Sequence, residues 1–131
     1  MKECEPEVGE LRCDAYNDDP LRVARVWKEM PEVAAFEGAA MRLKAIADPV
    51  RVRILFALTK EHLCVCELST LLGLSMPAVS HHLRLLAMSG LLGVKKEGKF
   101  ACYYLKEGAT EGVVGALISS LEDSKTEVSA R

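Results

Sequence analysis

Five cysteines are the residues of this 131-residue chain best suited to chemistry: Cys4, Cys13, Cys64, Cys66 and Cys102. The chain starts MKECEPEVGE, an acidic segment without the apolar h-region of an export signal. An odd number of thiols behind such a start argues for metal ligands or reduced thiols over a disulfide framework. Cys64-Val65-Cys66 stands where the chain is expected to enter a helix. Inside a regular helix, residues i and i+2 lie about 200° apart and cannot share an ion. In extended chain they point to one side and can chelate. A helix N-terminus also favours the thiolate, the form that binds metal. Two readings are open for the pair, buried apolar cysteines or ligands. Cys4 and Cys13, on an acidic arm, have no packing role to explain them. Folded over the helix entrance, that arm would complete a three- or four-sulfur site for a thiophilic ion. Cys102 reads as an apolar strand residue.

The elements that must position these thiols follow from caps and periodicity. Residues 1–18 show no periodic apolar pattern. Asp19-Pro20 is an N-cap and N1 pair, predicting a short helix with Val23, Val26 and Trp27 that ends before Pro31. A longer helix is expected over 32–47, with a stripe of Phe36, Ala39/Ala40, Leu43 and Ile46/Ala47. Asp48-Pro49 caps a third, carrying Val50, Ile54, Leu55 and Leu58. Residues 66–72 read as a short helix and Gly73-Leu74 as a tight turn. Ser75 then caps a helix that tolerates Pro77 in its first turn and stops at Ser89-Gly90. Two helices joined by a Gly-containing turn are the helix-turn-helix pattern.

Segments 91–96 and 99–105 are β-type, with Glu97-Gly98 expected as a two-residue turn between them. A last amphipathic helix over 110–121 aligns Val113/Val114, Leu117 and Leu121. The predicted architecture is mostly α with a β-hairpin wing: a winged helix-turn-helix over 31–122. Residues 1–30 are its cysteine-bearing arm with a short helix, and 123–131 a polar tail.

In the second helix of the pair, Val79, Leu83 and Leu86 fall within about 60° of each other and should face the core. Pro77, Ser80, His81 and Arg84 occupy the other side, a low-bulk polar face that suits a major groove. On that reading Ser80 and His81 meet bases and Arg84 meets phosphate. Lys95, Lys96 and Lys99 around the hairpin tip would hold the wing to the backbone. A plain solvated face is the competing reading. His82, toward the core edge, reads as a packed, hydrogen-bonded histidine. The net charge of −2 hides a segregation that supports a polyanion partner. Residues 41–106 hold ten Lys/Arg against four Asp/Glu, between two acidic ends.

Half of the chain is apolar and 27% is charged, the composition of a globular protein that buries a core. No apolar run approaches the roughly 18 residues that cross a bilayer. A cytoplasmic protein with no membrane partner is expected. Catalysis and an organic cofactor are not expected, because no general acid/base pair or activated nucleophile emerges.

Three stretches carry a resemblance: LKAIADPVRVRIL (43–55), LCVCELSTLLGLSMPAVSHHLRLLAMSGLL (63–92) and KKEGKFACYYL (95–105). They closely resemble the ArsR/SmtB family of metal-responsive bacterial repressors, and the likeness covers roughly residues 36–121. With cysteines on the arm and a C-x-C, the chain is most similar to the CadC-type branch. The resemblance implies a homodimer built from the first long helix and the C-terminal helix. It implies a metal-free dimer on operator DNA, released when thiolates bind a metal ion. It assigns Cys64 and Cys66 to the motif cysteines and Cys13 to the second arm cysteine, with Cys4 as a fourth candidate, separated from Cys13 by eight residues.

Cd(II) and Pb(II) are the favoured ions, with Zn(II) weaker. Arsenite or antimonite sensing is an alternative, although Ser69 stands where arsenite sensors often carry a third cysteine. Thiol-redox or reactive-sulfur sensing on the same cysteines, and a winged module that binds protein, are others. The zinc site that some relatives build on the C-terminal helix has no counterpart, since no histidine follows His82.

Overall fold

The computed structural model describes residues 13–109 and 111–128, so Cys4 lies outside the described residues. The chain forms two compact units, one ending at Val33 and the other beginning at Ala34. In the first, α1 (Pro20–Glu29) starts as expected. The Asp19 carboxylate accepts from the N–H groups of Leu21 and Arg22 at 3.0 and 3.3 Å, and Pro20 occupies N1. None of its residues is buried; Trp27 is 75% exposed.

The chain continues through α2 (Val33–Ile46), α3 (Pro49–Lys60), β1 (Leu63–Cys64), α4 (Val65–Leu72) and α5 (Met76–Met88). Then come β2 (Leu92–Glu97), β3 (Phe100–Leu105) and α6 (Val113–Val128). The strands form one antiparallel sheet in the order β1-β3-β2. The core is aliphatic, as the scarcity of aromatics requires. Ile54 and Leu55 of α3, Leu68 of α4 and Val79, Leu83 and Leu86 of α5 are fully enclosed. Leu91 and Leu92 close it from the wing, and Val114 and Ile118 from α6. Removing one of these large aliphatic side chains costs on the order of 2–5 kcal/mol. This is a winged helix-turn-helix.

Four details differ from expectation. β1 has only two residues and exists because β3 pairs with it. The hairpin turn is Gly98-Lys99, one residue later than Glu97-Gly98. Gly98 holds φ +63°, the left-handed backbone that the first central position of such a turn demands. The expected stripe on α2 is mostly uncovered: Ile46 is buried, but Phe36 and Leu43 are about half exposed. Finally, α6 begins at Val113, after Gly112 at φ +69°, and runs past Leu121 to Val128. No Gly or Pro stands in 122–128 to stop it, so that much of the segment expected as tail is helical. Among the described residues, no helix is long and apolar enough to cross a membrane.

Candidate metal centre and nucleic-acid interface

Cys64 ends β1 in extended conformation and is at the same time the N-cap of α4. Its backbone N–H donates to the Glu67 carboxylate at 2.9 Å, half of a capping box. Cys66 follows within the first turn. The sulfur-bearing residues therefore flank one helix start, but Cys64 is buried and Cys66 is exposed beside Glu67, Thr70 and Leu71. The expectation that the helix N-terminus lowers the thiol pKa needs correction. The Glu67 N–H does act downward on Cys64, yet partial burial and the Glu67 carboxylate outweigh it. The Cys64 thiol ends above its ordinary value. Glu67 moves the other way, held down by the Cys64 N–H and thiol against a smaller effect of burial.

Among the described residues no three His, Cys, Asp or Glu side chains cluster as a ready metal cage. The donor chemistry at α4 fits a soft ion in part, as two sulfurs followed directly in sequence by the Glu67 carboxylate. Cys13 is exposed in the first unit. Ser69 is engaged otherwise: its hydroxyl donates to the Leu74 carbonyl and closes the turn between α4 and α5. Cys102 is the residue that sequence reasoning undervalued. β3 sets it directly opposite Cys64, and its thiol donates to Glu97 at 3.6 Å. Burial, then the Glu97 charge, raise that thiol above its ordinary value. A two-residue strand such as β1 leaves no periodic signal, so only the pairing reveals it.

The other face of the site is α5. Ser75 caps it by accepting from the Ala78 N–H at 3.3 Å, and Pro77 sits in the first turn. Val79, Leu83 and Leu86 face the core as expected. Pro77, His81 and Arg84 are exposed and Ser80 is partly exposed, so these side chains are available to a ligand. His82 behaves as expected and more. Its Nδ1 lies 3.1 Å from Nη1 of Arg51 and 3.9 Å from the Asp48 carboxylate. Arg51 also donates from Nε to the Ala45 carbonyl at 2.5 Å. Arginine has no acceptor, so Nδ1 of His82 is the acceptor and its proton belongs on Nε2. Asp48 meanwhile caps α3, accepting from Val50 and Arg51 N–H groups at 2.9 and 3.1 Å.

Lys95, Lys96 and Lys99 are exposed on the wing. Lys95 pairs with Glu97 at 3.6 Å and lies over the Tyr104 ring, 5.9 Å from its centroid. That places it on the sheet face shared with Cys102, whereas Lys96 points to the opposite face.

Comparison with known proteins agrees with this geometry. The family model described as bacterial regulatory protein, arsR family, matches residues 48–93, from the cap of α3 into β2. A transcriptional repressor SmtB homolog from Synechocystis sp. is 32% identical over 111 residues, 82% of this chain and 84% of that protein. A cadmium resistance regulatory protein CadC homolog from Staphylococcus aureus is 33% identical over 104 residues, 79% of this chain and 73% of that one. Among solved structures, a homodimeric winged helix-turn-helix DNA-binding domain, Mb0332 from Mycobacterium bovis, superposes with a TM-score of 0.59. At 24% identity, with 72% of this chain and 83% of that one covered, it supports the fold alone.

Proposed function

The chain belongs to the ArsR family of bacterial regulatory proteins, and from that premise we propose that it is a repressor released from operator DNA by a soft metal ion. It is a DNA-binding regulator and not an enzyme. The observation that carries the metal reading is the placement of Cys64 and Cys66 at the start of α4, the helix packed directly on α5. Cys64 and Cys66 serve as the two ligands of the body. Cys13 supplies a third and Cys4 a fourth, an assignment that rests on the likeness to CadC-type repressors. The ion contributes strong sulfur bonding at that helix start. Four thiolates suit Cd(II) and Zn(II), with Zn(II) the weaker inducer; three suit the pyramidal ions Pb(II), As(III) and Sb(III).

On the DNA side, Ser80 and His81 reach base edges, Pro77 packs beside them and Arg84 binds phosphate. Lys95, Lys96 and Lys99 hold the wing to the backbone. The repressor acts as a homodimer, since Phe36, Met41 and Leu43 of α2 leave apolar surface open. Ala39 and Leu43 of α2 line one depression with Val113 and Val114 of α6, so the two helices offer a second copy a joined face. The recognition helices of such a dimer must meet grooves one turn apart, about 34–36 Å. A change at the start of α4 passes through α5 to that spacing. A coupling of ~1–3 kcal/mol makes a usable switch.

The test is a titration of the reduced full-length protein with Cd(II) in the presence of labelled operator. Sulfur-to-metal charge-transfer absorption should rise as DNA anisotropy falls, with the same stoichiometry. Metal binding without DNA release would dismiss the switch.

A further inference from the structure

Cys102 has no part in the metal site or the DNA face, yet it stands across the ladder from Cys64. The kind of opposition follows from the hydrogen-bond alternation. The Lys106 N–H donates to the Leu91 carbonyl at 3.0 Å, which marks 91 and 106 as a hydrogen-bonded pair. From there the β2–β3 register runs unbroken from Leu92↔Leu105 to Glu97↔Phe100. Hydrogen-bonded pairs recur at every second position, so Cys102 spends its backbone groups on Lys95 of β2. A strand residue's N–H and C=O point to one side. Toward β1, therefore, Cys102 and Cys64 form the non-hydrogen-bonded kind of pair. Such partners have Cα atoms about 4.5 Å apart and side chains on one face. A disulfide requires Cα atoms about 4.4–6.8 Å apart. Both thiols are free.

We propose that Cys64 and Cys102 are a redox-active dithiol that closes to a disulfide within one subunit when a peroxide is present. Cys102, the more accessible of the two, reacts first. Its sulfur attacks a peroxide oxygen, the O–O bond breaks, and a sulfenic acid forms as one water leaves. The Cys64 sulfur then attacks the Cys102 sulfur, the S–O bond breaks, and the second water leaves. Two thiols and one hydrogen peroxide thus become one disulfide and two waters. Closure takes Cys64 out of the C-x-C, so the oxidised repressor loses its response to metal. That consequence rests on the proposed metal site; the pairing itself does not.

The test treats reduced full-length protein with hydrogen peroxide, blocks remaining thiols and maps tryptic peptides by mass spectrometry. Cys64 and Cys66 share the peptide 61–84, and Cys102 lies on 100–106. The two peptides should be joined in the native chain and in Cys66→Ser, and separate in Cys64→Ser and Cys102→Ala. Reductant should reverse the link. Peptides still joined in Cys64→Ser, or Cys102 left fully alkylatable while other thiols oxidise, would overturn the pairing. Cd(II) charge-transfer absorption should fall with the linked fraction in the native chain and persist in peroxide-treated Cys102→Ala. A link that forms while cadmium absorption stays complete keeps the pair and removes Cys64 from the metal site instead.

Discussion

Nη1 of Arg51 donates to Nδ1 of His82 across 3.1 Å, so the second histidine of α5 is held to α3 while His81 stays exposed. The two neighbours should separate cleanly under mutation. His81→Ala should leave stability within about 0.5 kcal/mol of the native chain. It should cost ~1–3 kcal/mol on the specific operator and little on random DNA. His82→Ala should lose about 1–2 kcal/mol of stability through the broken bond to Arg51. Chemical denaturation and operator titration of both variants decide the matter. Equal stability losses would place His81 in the fold rather than on the bases.

The Asp48 cap carries a pH dependence whose sign can be worked out. The Arg51 N–H holds its carboxyl below the ordinary 3.8, with the Arg51 charge and the Val50 N–H helping, against partial burial. A depressed carboxyl stabilises the fold above the unfolded pKa and loses that contribution as pH falls through the folded one. Asp48→Ala should therefore cost about 1 kcal/mol at neutral pH, the ordinary worth of an N-cap. The difference in melting temperature should shrink as pH drops below the ordinary carboxylate value. A gap unchanged down to the acid limit would refute the cap as its source.

A Cys64→Ser/Cys66→Ser protein should fold and bind operator but ignore metal. Serine is a favoured N-cap, so the start of α4 survives the exchange. Neither cysteine belongs to the exposed face of α5. Cys13→Ser should also abolish the response, and Cys4→Ser should weaken Cd(II) more than Pb(II). Loss of metal-free operator binding in the folded double variant would show that sensing and reading are not separate.

Lys96→Ala should weaken specific and random DNA alike and flatten the salt dependence, as loss of a phosphate contact does. Measured over a salt series, an unchanged slope would take Lys96 off the backbone.

Gly93 lies under the Tyr104 ring: a Cβ there would sit 2.4 Å from Cζ. Gly93→Ala must push the ring away from its positions beside His62 and Lys95, at a cost of about 1 kcal/mol or more. In a Tyr104→Ala background the same change should be neutral or stabilising, since alanine is otherwise preferred to glycine in a strand. Denaturation midpoints of the four proteins read this coupling.

What local chemistry encodes was legible without coordinates. Asp19, Asp48 and Ser75 cap the helices they precede, because a cap needs only its own side chain and N–H groups two or three residues on. Val79, Leu83 and Leu86 face inward because helical periodicity alone brings them to one side. The tertiary structure decided whatever joins distant segments. Leu63 and Cys64 form a strand only because β3 returns to them, and two residues carry no period of their own. Glu67 and Cys102 accordingly became neighbours of Cys64 for different reasons. Glu67 stands one helical turn along, a capping box readable from spacing, while Cys102 arrives across the sheet. The exposed stripe of α2 shows the converse: periodicity marks an apolar face but not what covers it, since that depends on surfaces far along the chain or on a second copy.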